Sequence, residues 1–184
     1  MLQLSIVRST PAGAQDNSLD VQARNGLWLQ VSIRNQSICL FDGDSLIICY
    51  PVSTSRFGAG NQEGSYRTPL GWHRICEKIG KAAPPGMIFV SGKPSGRIAV
   101  IYSDTTDLPE DEITTRILRL KGCEKGLNLG GSVDSYRRHI YIHGTREEGL
   151  IGQPASHGCV RMKNQDIIDL FSRVPLYTYI LIVE

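Results

Sequence analysis

The chain has 184 residues, with 20 Lys and Arg against 18 Asp and Glu, for a net charge of +2. That is the length of one ordinary domain, large enough to bury a core without metal or disulfide staples. The charge is too small to point to nucleic acid or an anionic membrane, and no apolar run approaches the ~18 residues of a membrane span.

Residues 1–25 are polar and mixed, and read as an N-terminal arm or an edge strand, ahead of one domain over 26–184. A secretory leader needs a basic start and then an apolar run of about 7–15 residues. Gln3, Ser5 and Arg8 interrupt the apolar residues here, so a cytoplasmic protein is expected, with a periplasmic one as the alternative if the true start lies upstream. From Leu27 the pattern turns β-like. LWLQVSI alternates, and SICLF and SLIICYPV flank Asp42-Gly43-Asp44, a hairpin signal. Residues 53–64 form a glycine-rich loop, and RTPLGWHRI predicts a strand after Pro69. MIFVS, RIAVIYS and HIYIHG add short strands, while 110–120 is ambiguous between helix and strand. Residues 164–173 predict a helix capped by Asn164, with Ile167, Ile168 and Phe171 on one face, stopped by Pro175. TYILIV closes the chain as a strand. The fold class is mainly β with one or two helices, arranged as a sandwich or barrel.

Five cysteines, none in a CxxC pair, do not suggest a disulfide framework. Cys39 and Cys49 lie in apolar runs and read as small buried hydrophobes, which favours a reducing compartment. Cys159 is different, because it lies in ASHGCVRM. A free thiol is only a few per cent thiolate at neutral pH, so a nucleophilic cysteine needs a base or a positive neighbour. Of four histidines, His143 is the strongest candidate base: it ends a strand-like run, and Gly144 releases the chain into a loop. Strand alternation would put His139 on the same face. It would also align His157, Cys159 and Arg161, with Gly158 letting a substrate approach the backbone. N–H groups around Gly158 and Cys159 would then face an oxyanion, and Arg161 a carboxylate. A second reading, a zinc site of His143, His157 and Cys159, has competent ligands but no tight two-ligand helix motif.

HGT at 143–145 with SHGCVRM at 156–162, together with TPLG at 68–71, resembles the signature of the L,D-transpeptidase (YkuD-type) catalytic domain. The resemblance runs from about Gly26 to the C-terminus. It implies that family's β-rich fold and a cysteine acyl transfer on peptidoglycan stem peptides, with no cofactor or metal. By position it makes Cys159 the nucleophile and His143 the base. The carbonyl of Gly144 would orient the imidazole, and Ser156, His157, Gly158 and Arg161 would stand on the substrate and oxyanion side. The thioester would form at the third, diamino residue of a tetrapeptide stem as the terminal D-alanine leaves. Most members are exported wall enzymes. An unexported one has water as its natural acceptor, which makes an L,D-carboxypeptidase of muropeptide recycling the expected activity. The alternative is a transpeptidase that crosslinks the wall or tethers a protein to it, and a non-enzymatic muropeptide binder is a third reading. The resemblance also implies acylation of Cys159 by carbapenems. The 57–64 loop and an insert at 103–135 are expected to wall the site, the insert as a lid.

Overall fold

A computed structural model describes residues 17–184. Ten strands form a mixed sheet in the order β3-β2-β1-β10-β4-β7-β5-β6, with β8 branching from β7 and β9 pairing with β8. The strands are β1 (Leu27–Ser32), β2 (Ser37–Asp42), β3 (Ser45–Pro51), β4 (Gly71–Ile79), β5 (Met87–Val90), β6 (Lys93–Ile98), β7 (Ile113–Gly122), β8 (Tyr141–Thr145), β9 (Val160–Met162) and β10 (Tyr179–Val183). The helices are α1 (Asn17–Arg24) and α2 (Asn164–Arg173). A mainly β domain with two helices is what the alternating pattern called for. Among the described residues no helix is long and apolar enough to cross a membrane.

The sheet curls around one core. Leu29, Val31, Ile38 and Leu40 from one arm meet Leu118, Leu120, Ile142, Val160 and Met162 from the other, and Ile167, Leu170 and Phe171 of α2 close the space. Most of these side chains are fully buried. Each contributes roughly 1.5–3 kcal/mol by leaving water. A satellite cluster joins Ala23 of α1 to Trp28 and Trp72, and Trp28 stacks on Phe41 at 4.7 Å.

Several local expectations change. Residues 17–24 are helical rather than an arm or edge strand, because Leu19 and Ala23 pack on the two tryptophans; residues 1–16, where the leader was sought, lie outside the described residues. The ambiguous 110–120 segment is strand from Ile113 onward, within β7, which pairs with β4, β5 and β8. The insert at 103–135 is therefore not a single lid, since its middle is the most connected strand of the sheet. RIAVIYS contributes only its first two residues to β6. Asn164 does not cap α2: Lys163 holds the cap position without a side-chain bond, and the Asn164 N–H donates to Glu148 Oε1 at 2.7 Å.

Cys39 and Cys49 face each other across β2 and β3 and form a disulfide. The expectation of two reduced, buried cysteines is corrected. Their run of apolar neighbours marked strands, and strand register put the sulfurs opposite one another. Cys76, Cys123 and Cys159 are free thiols.

His73 of β4 is fully buried, its ring held by Gly71 O and Ser135 Oγ at 2.9 Å each. Burial pushes it down from 6.5 to about 4. Below pH 6.5 the unfolded chain takes up a proton that folded His73 refuses, so stability is lost as pH falls. The loss reaches about 3 kcal/mol once pH approaches the folded value. Buried His143 is lowered too and acts in the same direction. Urea unfolding midpoints should therefore fall between pH 7 and 5, above the range where carboxylates titrate, and His73→Gln should flatten that slope. A slope unchanged in the variant would remove His73 as its source.

Candidate active site

The site is built where β8 and β9 run parallel. Ile142 pairs with Val160 and His143 with Arg161. Cys159, one residue before β9, is thus level with Tyr141, and parallel partners share a face. Tyr141, His143, Cys159 and Arg161 consequently project from one side of the sheet, two residues apart along each chain.

A bulge in β7 aims the histidine. Thr114 pairs with Gly144 and Ile117 with His143, so Thr115 and Arg116 are extra residues opposite that single step. Bulges bend a strand and re-aim side chains next to active sites. Thr115 adopts φ +67°, an uncommon conformation for a β-branched residue. Asn164 holds it there. Its Oδ1 accepts from Thr115 Oγ1 and, at 2.7 Å, from Thr114 Oγ1, while its Nδ2 donates to Thr145 O and Glu148 Oε1.

The His143 ring is buried, and its Nδ1 lies 2.8 Å from Gly144 O. A carbonyl only accepts, so Nδ1 carries the proton and Nε2 presents a lone pair. Burial lowers the imidazole below the usual histidine range, against the opposing pull of Asp111. Cys159 is half-buried, and its thiol donates to His139 O at 3.4 Å. Burial first, then the charge of Asp111, push the thiol up to about 12, opposed by the Tyr141 backbone and by Arg161 and Arg138. Both shifts favour the neutral forms, a thiol and an unprotonated imidazole.

The proposed row of His157, Cys159 and Arg161 is broken in the structure. Gly158 adopts φ +123°, which turns His157 out of the strand face. The His157 side chain is 36% exposed, whereas that of Arg161 is 1% exposed. His157 instead joins the rings of Phe57 and Tyr66 at 6.1 and 6.3 Å. Arg161 does not reach outward to a carboxylate. Its Nη1 donates to Glu147 Oε2 at 2.7 Å, and its Nε lies 2.8 Å from Asp111 Oδ1. Of the expected oxyanion donors, the Gly158 N–H has a partner within the turn. The Gly158 N–H donates to Ser156 Oγ at 3.2 Å, and the His157 N–H to Asp111 Oδ2 at 3.4 Å. Ser156 in turn donates to Cys159 O at 2.6 Å, so its hydroxyl shapes the turn that carries Cys159. His139 leaves the common face, because its φ of +57° ends the alternation before β8 begins. Among the described residues no three His, Cys, Asp or Glu side chains converge as a metal-binding group, so the zinc set of His143, His157 and Cys159 is not assembled.

Residues the sequence did not single out complete the site. Asp111 and Glu147 flank Arg161. Arg138 donates to the carbonyls of Gly60, Asn61 and Arg67, which fixes the glycine-rich loop. Arg56 forms a two-pronged pair with Asp107 at 3.0 and 2.8 Å, tying that loop to the 104–112 segment. Glu147 lies four residues past His143 in THE run TREE, a local signal. Asp111 is 48 residues before Cys159 and carries none.

A cysteine and a histidine with a free ring nitrogen thus share one face of a curled mixed sheet, the pairing of residue types that nucleophilic cysteine chemistry uses. Comparison with known proteins supplies the family. The model of the YkuD family, the L,D-transpeptidase catalytic domain, matches residues 26–182, and the chain belongs to that family. A relative in Bacillus subtilis (strain 168), YqjB, provisionally named an L,D-transpeptidase, is 30% identical over 113 residues, covering 53% of this chain and 64% of its own. Among solved structures, an L,D-transpeptidase from Mycobacterium smegmatis matches with a TM-score of 0.52 and 14% identity, over 86% of this chain and 59% of that one. L,D-transpeptidase 3 from Mycobacterium tuberculosis, in complex with a faropenem-derived adduct, gives 0.52 and 16%, over 86% of this chain and 60% of that one. These matches take in less than two thirds of each relative's own length.

Gly144 is required for space. A Cβ there would meet Asn164 Oδ1 at 2.6 Å and the backbone Thr114 O at 2.8 Å. Gly144→Ala should displace the carbonyl that orients His143 and cost stability by about 1–3 kcal/mol, in the range of other overpacked sites. Thermal unfolding alongside thiol alkylation would read both effects. A variant as stable as the parent would show that the β7 bulge yields more readily than the packing implies.

Proposed function

We propose that this chain cleaves peptidoglycan tetrapeptide stems by acyl transfer through Cys159, with water as the acceptor. The observation that carries the reading is the His143 ring, fixed by Gly144 O at 2.8 Å so that Nε2 is the free base on the face shared with Cys159. In the first step the thiol gives its proton to Nε2 as sulfur attacks the carbonyl of the third stem residue. The tetrahedral intermediate collapses, the bond to the terminal D-alanine breaks, and the departing amine takes the proton from the imidazolium. A thioester remains. Water then attacks it, giving its proton to His143, and the tripeptide leaves with the thiol restored. A positioned base is typically worth 10²–10⁴-fold in rate.

The walls of the site support a small acceptor. The 57–67 loop is held by Arg138 and tied through Arg56 to Asp107, so the two segments that border Cys159 are fastened to each other. An extended second stem needs an open approach that water does not. This fits an L,D-carboxypeptidase that trims recycled muropeptides in the cytoplasm. The Cys39–Cys49 disulfide favours a second reading. Such bonds persist in oxidising compartments, where the polymeric wall offers amine acceptors. There the same thioester would serve L,D-transpeptidation.

Mass spectrometry of the purified protein with a disaccharide-tetrapeptide, with and without a D-amino acid or second stem, tests these readings together. Tripeptide and free D-alanine alone are expected. Exchanged or crosslinked product would favour the transpeptidase. Cys159→Ala should abolish turnover, and turnover by that variant would overturn the mechanism. A carbapenem should leave a covalent adduct on the parent protein that is missing from Cys159→Ser.

A further inference from the structure

Asp111 lies at the end of the 104–112 segment, immediately before Glu112 and β7, and its side chain is only 18% exposed. It touches the nucleophile's segment on both sides. Its Oδ2 accepts from the His157 N–H at 3.4 Å and lies 3.7 Å from the His157 ring, two residues before Cys159. Its Oδ1 lies 2.8 Å from Nε of Arg161, two residues after Cys159 and level with His143. Despite that approach, Asp111 Oδ1 and the Arg161 Nε and Nη2 atoms are buried without an aligned hydrogen bond. Such groups are costly to bury, and a fold keeps them where their charge has use.

We propose that Asp111 is a positioning residue for acyl transfer: it clamps His157 and Arg161 on either side of Cys159 and provides the negative charge against which the His143 imidazolium forms. The inference rests on the acyl-transfer reading of the site. In that reaction the main chain of Gly144 orients the imidazole but carries no net charge. When the thiol proton passes to Nε2, a positive charge appears on a buried ring. The charged groups facing that ring are Asp111 and Arg161. Those facing the thiol are Asp111, Arg161 and Arg138. Asp111 is the acid common to both. It opposes the thiolate before substrate arrives and favours the imidazolium once the proton has moved.

The test combines pH-dependent alkylation of Cys159 by iodoacetamide, read by intact mass, with turnover of a disaccharide-tetrapeptide. The alkylation arm needs no knowledge of substrate, so it stands even if tetrapeptide is not turned over by the parent protein. Asp111→Asn should move the alkylation profile to lower pH, several-fold faster at pH 8, while kcat falls at least tenfold with KM little changed. Asp111→Glu, which keeps the charge and does not bury a neutral amide in its place, should retain the parent profile and recover part of kcat. Glu112→Gln is the control, because it loosens the same segment through the Arg146 pair without removing a charge beside the thiol. It should leave the profile in place. An unmoved profile in Asp111→Asn, an equal displacement in Glu112→Gln, or a displaced profile in Asp111→Glu would overturn the proposal.

Discussion

Arg161 is a fully buried guanidinium, and much of the site follows from pairing its charge. A charge of this kind costs several kcal/mol to remove from water unless it is paired and hydrogen-bonded. Glu147 and Asp111 supply the pairing, and they come from opposite directions. Glu147 arrives from β8, past His143. Asp111 arrives from the segment leading into β7. The cation therefore pulls the strand of His143, the strand that follows Cys159 and the segment ending at Glu112 onto one point. Glu147 extends the same organisation outward, since its Oε1 also accepts the Leu108 N–H at 2.5 Å. Removing one partner of such a cluster leaves an uncompensated buried charge, which is more disruptive than the loss of one contact.

A second constraint acts from the other side of β8. The bulge at Thr115 and Arg116 depends on hydroxyls and an amide rather than on apolar packing. Asn164 meets Thr114, Thr115, Thr145 and Glu148 with one side chain, and so joins the start of α2 to the strand that carries His143. Buried polar groups satisfied in this way specify one geometry more sharply than apolar contacts do, because partial satisfaction is costly. The helix that fills the core is thereby also a brace for the base.

The alternation of LWLQVSI, the Asp-Gly turn and the α2 face made the architecture readable from the sequence, because they are local patterns that bury one face. The His143–Gly144 step and the SHGC turn were legible for the same reason: their signals lie within a few residues. What failed to show was set by register and by distance along the chain. The Cys39–Cys49 bridge depends on which residues face one another across two strands, and the apolar run around each cysteine spoke only of burial. The straight row of His157, Cys159 and Arg161 assumed extended backbone through Gly158, and a single positive φ there turned His157 away. Asp111 and Arg138 reach the site through the sheet topology, for which no local spacing is a guide. Arg161, read as an outward anion-binding group, turned inward because two acids from other segments were there to receive it.

The neutral resting state of Cys159 also bears on durability. Oxidants, like most electrophiles, react with the thiolate, and the ladder through sulfenic, sulfinic and sulfonic acid starts from that form. A cysteine kept protonated until substrate and base converge on it presents little of this species to peroxide. The burial and the adjacent acid that push the thiol up therefore also lower its availability to oxidants.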